Sequence, residues 1–138
     1  MRAVLDANVL ISALLSRTGS PARLLLAWQE GGFELVVSPG LLTELGRAMA
    51  YAKLRRLLPE SDAEAFVTWL SRSAVLARDP VGPPPIRSVD PGDDYLLSLA
   101  ADQHAVLVSG DGHLLAPAGD FPIHTPASYL SLLTNATH

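Results

Sequence analysis

The amino-acid sequence predicts an α/β fold in three layers, α/β/α, with a mostly parallel central sheet of about five strands. Short apolar runs rich in Val and Leu alternate with longer helix-like stretches, and 49% of the 138 residues are hydrophobic. Parallel strands covered by helices on both faces have this continuous apolar character, and a chain of this length can close one core. We therefore expect a single domain over residues 1–138.

Five apolar runs have the length of strands and are separated by helix-like stretches. The strands are assigned to residues 3–6, 33–37, 74–78, 105–109 and 121–124. Residues 7–16 form the helix after the first strand, and residues 21–30 form a second helix. That helix is expected to end at Gly31-Gly32, because glycine supplies the left-handed conformation that stops a helix.

Capping signals predict where the later helices begin. A residue that can cap a helix precedes a proline suited to the first helical position at Ser38-Pro39, Asp90-Pro91 and Thr125-Pro126. Ser61 and Glu64 have the spacing of a capping box, which predicts a helix opened by Ser61. The apolar residues of this helix share one face: Ala63, Phe66, Val67 and Leu70.

Composition excludes several classes of function. The chain has no cysteine, which excludes thiolate catalysis and zinc fingers and indicates a cytoplasmic protein. Asp6 and Asn8 interrupt the apolar N-terminal stretch, so we expect neither a signal peptide nor a membrane segment. The formal charge of −4 gives no general attraction to nucleic acid, although two bound Mg²⁺ ions would neutralise it.

Two aspartates follow predicted strands directly. Asp6 comes after Ala3-Val4-Leu5, and Asp111, in Ser109-Gly110-Asp111, comes after the apolar strand Ala105-Val106-Leu107-Val108. Ligands of an open α/β sheet bind outside the carboxyl ends of its strands, which is where these acids are expected. Each also has a structural explanation, since aspartate caps helices and Gly-Asp-Gly forms turns.

Further acids belong to two predicted helices. Glu44 borders the packed face of the helix opened by Ser38-Pro39; it either pairs with Arg47 or points into the cleft at the strand ends. Asp90, Asp93 and Asp94 stand in the first turn of a later helix, where the helix dipole favours one or two negative charges but does not require three. Spacing alone does not separate Asp93 from Asp94.

Together, these acids predict a metal site. Several carboxylates are expected at one edge of the sheet, and none has a basic residue adjacent in sequence. Such a cluster would raise the pKa of its own members and destabilise the fold, whereas hard divalent cations with oxygen ligands reverse that cost.

The residues resemble those of the PIN-domain nucleases, and within that family the toxin-like branch of bacterial toxin–antitoxin systems. The resemblance covers nearly the whole chain and rests on four stretches: Val4 to Leu10, Ser38-Pro39 through Glu44-Leu45, Asp90 to Ala100, and Val108 through Leu115. It implies a parallel sheet and an acidic pocket that holds Mg²⁺ or Mn²⁺ for hydrolysis of RNA phosphodiester bonds. It also implies a cognate antitoxin and self-association, most simply as a dimer.

Matched motif by motif, the resemblance implies that the metal-binding catalytic acids are Asp6, Glu44, Asp94 and Asp111. Asn8, Asp93 and Ser109 would orient these acids, and the candidates for RNA contact are Arg17, Arg47, Arg55 and Arg56. Two positions depart from the family's pattern. Tyr95 is bulkier than usual, and His113 stands where many relatives have a further acid, which leaves one or two ions open.

Two other functions share features with this sequence. A phosphatase of the haloacid-dehalogenase type also has an aspartate after its first strand, but it needs a second aspartate where this chain has Asn8. A non-catalytic PIN fold that binds RNA or protein generally lacks part of the acid set, and this chain retains it. We therefore expect a metal-dependent endoribonuclease, with the binding module as the alternative.

Overall fold

Among the described residues the central sheet has five strands, all parallel, where the sequence predicted about five strands, mostly parallel. The computed structural model describes residues 1–81, 91–110 and 122–136. The spatial order of the strands is β3-β2-β1-β4-β5, so the first strand lies in the middle of the sheet. The strands are β1 (Arg2–Leu5), β2 (Glu34–Val37), β3 (Val75–Leu76), β4 (Val106–Val108) and β5 (Ile123–His124).

Helices connect and cover the strands, and the predicted α/β/α arrangement is confirmed. The helices are α1 (Ala7–Leu15), α2 (Ser20–Gln29), α3 (Pro39–Met49), α4 (Ala52–Arg55), α5 (Glu60–Ser73), α6 (Pro91–Asp102) and α7 (Pro126–Ala136). Helix α6 packs on β1 and β4, α3 packs on α1 and α5, and α2 packs on α7. None of the helices within the described ranges is long and apolar enough to cross a membrane.

The strands form the centre of the core because their side chains are apolar on both faces of the sheet. Leu5, Leu35 and Leu107 are fully buried on three neighbouring strands. Parallel register aligns the strand ends: Leu5 pairs with Val108 on β4, and Ala3 pairs with Leu35 on β2. The residues that follow the strands therefore meet at one edge of the sheet, called here the carboxyl edge.

The proline-based helix starts are confirmed. Helices α3, α6 and α7 begin at Pro39, Pro91 and Pro126. The Ser38 side chain accepts a hydrogen bond from the Leu41 amide at 3.2 Å, and the Thr125 side chain accepts one from the Ser128 amide at 3.1 Å. Asp90 lies outside the described residues.

The prediction that Ser61 opens α5 is wrong. The helix begins at Glu60, with Pro59 at the capping position and no side-chain cap. Proline fixes its own φ near the helical value, and here Pro59 has φ −59°, so the chain turns into the helix before Ser61. The predicted packing face is confirmed, since Ala63, Phe66 and Leu70 are buried and Val67 packs against them.

Two helices end in the same left-handed motif. After α2, Gly31 has φ 84° and its amide bonds to Trp28 O, while the Gly32 amide bonds to Ala27 O. After α6, His104 has φ 51°, and the corresponding bonds run from His104 to Ala101 and from Ala105 to Ala100. The Gly31 cap was predicted; His104 was not, because histidine is not a typical residue for this conformation.

Candidate active site at the carboxyl edge

Asp6 lies at the carboxyl edge, at the end of the central strand. Its side chain is buried, with 7% of the residue exposed. One carboxylate oxygen, Oδ1, accepts the Val9 amide at 2.9 Å, and the other, Oδ2, accepts the Ser109 hydroxyl at 2.5 Å. The first bond caps α1 and the second joins β1 to β4. Asp6 is therefore both a helix cap and a residue at the carboxyl end of a strand, as the sequence predicted.

The two bonds fix the Asp6 carboxylate in one orientation. A carboxylate has about four acceptor positions, so its oxygens can accept hydrogen bonds and also bind a cation. Oxygen donors are also the ligands that Mg²⁺ and Mn²⁺ prefer. Ser109 is fully buried after β4, and its hydroxyl bond holds the Asp6 carboxylate in place.

Glu44 lies on α3, and its carboxylate is largely in solvent. Its side chain is 64% exposed, and its Oε2 atom lies 4.0 Å from Nη1 of Arg47, one turn further along the helix. An exposed pair of this kind adds little to stability. The structure therefore shows the pairing that was one of the two explanations for Glu44, and its role as a metal ligand stays a prediction.

The first turn of α6 carries Asp93 and Asp94, and the Asp94 residue is half-buried. The Asp93 side chain, Asp111 and His113 lie outside the described residues, so the predicted fourth acid has no described position. Within residues 1–81, 91–110 and 122–136, no three acidic or histidine side chains are grouped closely enough to hold a metal ion.

A second set of polar side chains lies at the same edge and was not predicted. Tyr95, next to Asp94, places its hydroxyl 2.5 Å from Ser38 Oγ, and donates to Asp79 Oδ1 at 2.5 Å. Asp79 also accepts the Gly40 amide at 2.9 Å. We call Ser38, Gly40, Asp79 and Tyr95 the Tyr95 cluster.

Sequence reasoning missed Asp79 although a signal was present. Asp79 directly follows the predicted strand 74–78, which is the same pattern that singled out Asp6. It stands three residues after Leu76, the last residue of β3. Its carboxylate reaches the N-terminus of α3, where the helix dipole and the Gly40 amide favour negative charge.

The hydrogen bonds of the Tyr95 cluster shift the ionisation of its members. The Tyr95 hydroxyl, followed by the Gly40 amide, stabilises the charged carboxylate and lowers the pKa of Asp79 below its usual value. Burial, and then the bond to Asp79, raises the pKa of Tyr95 to about 12. At neutral pH the pair is therefore a protonated phenol and an ionised carboxylate.

Asn8, predicted to orient the acids, is exposed. The candidate RNA-binding residues are spread over the surface: Arg17, Arg47 and Arg56 are exposed, whereas Arg55 is half-buried. The Nη1 atom of Arg55 is buried with no hydrogen-bond partner among the described residues. Helix α3 begins at the carboxyl edge, and its 11 residues span roughly 16 Å, so Arg55 and Arg56 lie beyond its far end.

Comparison with known proteins identifies the family. A family model described as a PIN domain matches residues 2–113, which is most of the chain. The chain belongs to the PIN-domain family. Members of this family are generally nucleases, and the matched span contains all four predicted acids of this PIN domain. No curated protein sequence matches the chain.

The fold of this PIN domain is similar to that of a chain in the crystal structure of VapBC2 from Rickettsia felis bound to a DNA fragment from their promoter. The TM-score is 0.65, and the match covers 91% of this chain and 98% of that chain. The sequences are 12% identical, so this likeness shows the fold alone.

Proposed function

We propose that this PIN domain is a divalent-metal-dependent endoribonuclease and the toxin component of a toxin–antitoxin pair. One observation carries the proposal: the buried Asp6 carboxylate is held at the carboxyl end of the central strand by bonds from Val9 and Ser109. A buried acid fixed at the edge where α/β folds bind ligands is suited to holding a cation. Membership of a family of nucleases supports the same function.

In this proposal Asp6, Glu44, Asp94 and Asp111 hold one or two Mg²⁺ or Mn²⁺ ions. A bound ion of this kind supplies Lewis acidity, which activates water and neutralises charge on the scissile phosphodiester. The protein fixes the acids: Ser109 holds Asp6 across the sheet, and Asn8 and Asp93 help to orient the set. The half-buried Asp94 enters from the first turn of α6, and Glu44 enters from α3.

RNA is the proposed substrate. Because the formal net charge of the protein is −4, positively charged residues near the site must attract the RNA phosphates. Arg47, which is 75% exposed, lies on the same helix as Glu44 and is the candidate best placed for a phosphate near the acids. Arg17, Arg55 and Arg56 would contact more distant phosphates. Each contact of this kind makes binding weaker at high salt, because counterions are released when RNA binds.

An antitoxin is the proposed protein partner. The fold is similar to that of a chain in the VapBC2 crystal structure, and the sequence resembles the toxin-like branch of the family. We also propose that the protein self-associates as a dimer. Size-exclusion chromatography with light scattering tests the dimer, and co-expression with the adjacent short open reading frame, if there is one, tests the antitoxin.

The activity is tested with purified protein and a pool of structured and single-stranded RNAs, in Mg²⁺, in Mn²⁺ and in chelator. The key variant is Asp6→Asn, because asparagine caps a helix as well as aspartate does and so preserves α1. Asp62→Asn makes the same change on the exposed surface of α5 and serves as the control. We expect metal-dependent cleavage by the wild type and Asp62→Asn, and none by Asp6→Asn.

Full activity in Asp6→Asn would disprove the assignment of the site. Cleavage that persists in chelator would disprove the metal dependence. Binding of Mn²⁺ and RNA by the wild type without cleavage would favour the alternative, a PIN fold that acts as a binding module.

A further inference from the structure

We propose that Tyr95 is a positioning residue: its hydroxyl ties the first turn of α6, which carries Asp93 and Asp94, to the carboxyl ends of β2 and β3. The inference rests on the proposed function, because it concerns the alignment of the acids that would hold the metal. It assigns a task to Tyr95, which is bulkier than the residue usual at its position in the family the sequence resembles.

The hydrogen bonds of the Tyr95 cluster have a defined direction. The Tyr95 hydroxyl donates its only proton to Asp79, so the Ser38 hydroxyl must donate to the phenol oxygen. Ser38 Oγ in turn accepts the Leu41 amide at the start of α3. The resulting chain runs from α3 through the end of β2 to α6 and on to the segment after β3.

The start of α3 is shaped around the Tyr95 hydroxyl. A Cβ atom added to Gly40 would lie 2.5 Å from the Tyr95 hydroxyl and 2.9 Å from Asp79 Oδ1. Position 40 therefore admits only glycine while the cluster stays in place. The Gly40 amide also donates to Asp79. Gly40 therefore contributes to the cluster in two ways: it leaves room for the Tyr95 hydroxyl and it donates a hydrogen bond.

The cluster adds a polar connection near the start of α6, where Tyr95 packs at the margin of the core. Leu97 and Leu99 are fully buried and anchor the middle of the helix against the sheet. Tyr95 acts one half-turn earlier, next to Asp94, and its partners are 57 and 16 residues away in sequence. A bond to the strand ends at this point limits rotation of the first turn, and so limits where Asp94 can place its carboxylate.

The test compares three variants of the full chain: Tyr95→Phe, Asp79→Ala and Asp79→Asn. Tyr95→Phe keeps the ring and removes the hydroxyl, whereas Asp79→Ala removes the acceptor without altering α6. Asp79→Asn makes the same change in charge as Asp79→Ala but retains an oxygen that can accept from Tyr95 and Gly40. The readouts are Mn²⁺ affinity, measured by the electron paramagnetic resonance of free Mn²⁺, and the rate of RNA cleavage, both well below the melting temperature of each variant.

We expect Tyr95→Phe and Asp79→Ala to weaken Mn²⁺ binding on the order of 10-fold, the effect usual for groups that orient metal ligands. Asp79→Asn is expected to restore most of that loss. A merely structural role would lower the melting temperature and leave the Mn²⁺ affinity of the folded protein unchanged.

Wild-type affinity in Tyr95→Phe would overturn the inference while leaving the proposed function intact. Equal losses in Asp79→Ala and Asp79→Asn would also overturn it, because the charge of Asp79 rather than its hydrogen bond would then be responsible. A wild-type protein that binds no Mn²⁺ would overturn the proposed function and this inference with it.

Discussion

Ser109 donates a 2.5 Å hydrogen bond to the Asp6 carboxylate and so joins the carboxyl ends of β4 and β1. The two residues are 103 positions apart in the chain, and register places them side by side, since Leu5 pairs with Val108. The bond is buried and its acceptor is a carboxylate, which makes it stronger than a neutral one.

Ser109→Ala should therefore destabilise the protein by about 1.5–3 kcal/mol, the range for hydrogen bonds to charged groups. Denaturation by urea with linear extrapolation measures the change. Ser12→Ala, on the exposed side of α1, is the control and should change stability by less than about 0.5 kcal/mol. Equal effects in the two variants would show that the Ser109 bond contributes nothing to the fold.

The buried Tyr129 and the half-buried Tyr95 should respond differently to loss of the hydroxyl. Tyr129 is fully buried, its ring packs edge-on against Phe33, and its hydroxyl has no hydrogen-bond partner in the described part of the chain. Tyr129→Phe keeps the packing and removes an unsatisfied polar group, so stability should stay the same or rise by about 1 kcal/mol.

Tyr95→Phe is the matched comparison, because the Tyr95 hydroxyl has two partners. This variant should lose about 1–2 kcal/mol of unfolding free energy. A Tyr129→Phe variant that loses as much as Tyr95→Phe would indicate that the Tyr129 hydroxyl has a partner after all. Urea denaturation of both variants under one set of conditions makes the comparison.

Stability should fall in alkali, and Tyr129 should account for part of the fall. Burial raises the pKa of Tyr129 from 10.0 to about 12. The native state therefore holds the phenol proton more tightly than the unfolded chain does. The stability linked to this proton is fully present below pH 10 and is lost as pH rises towards 12.

Tyr129→Phe cannot bind that proton, so its unfolding free energy should decline less steeply in this range than that of the wild type. The raised pKa of Tyr95 leaves a residual decline in the variant. Urea denaturation at intervals from about pH 9 to about pH 11.5 measures the two slopes. Parallel curves would show that Tyr129 ionises equally easily in the folded and unfolded states.

Substitutions at the two left-handed helix caps, Gly31 and His104, should change stability in opposite directions. A left-handed conformation is unfavourable for a residue with a Cβ atom, and glycine relieves that cost. His104 is exposed with φ 51°, so His104→Gly should stabilise the protein by about 0.5–1 kcal/mol.

Gly31→Ala should destabilise the protein by about 1 kcal/mol. A Cβ atom at Gly31 would meet no atom within 4 Å, so this loss reports backbone conformation and not a steric clash. Thermal denaturation of both variants tests the pair. Shifts of the melting temperature in the same direction would contradict the common left-handed motif.

Local sequence patterns determined most of the elements of this PIN domain. Continuous Val and Leu runs predicted the parallel strands, and Ser38-Pro39 predicted the start of α3 to the residue. These signals are reliable because a cap or a buried strand depends on residues close together in the chain. The capping box at Ser61 predicted the wrong start for α5. Another local signal, Pro59, lies directly before the first residue of the helix.

The acids of the candidate site were also visible in the sequence, but their surroundings were not. The sequence around Asp6 is enough to show that it follows a strand. Its partner Ser109 could not be identified in this way, because the contact depends on the strand order β2-β1-β4. Likewise, Tyr95 was noted only for its size, and Asp79 was overlooked. Their hydrogen bond forms because α6, packed on β1 and β4, brings Tyr95 within reach of the segment after β3, and this placement depends on contacts between residues far apart in the chain. Sequence thus predicted several of the groups expected at the carboxyl edge, and tertiary structure decided which of the described ones touch.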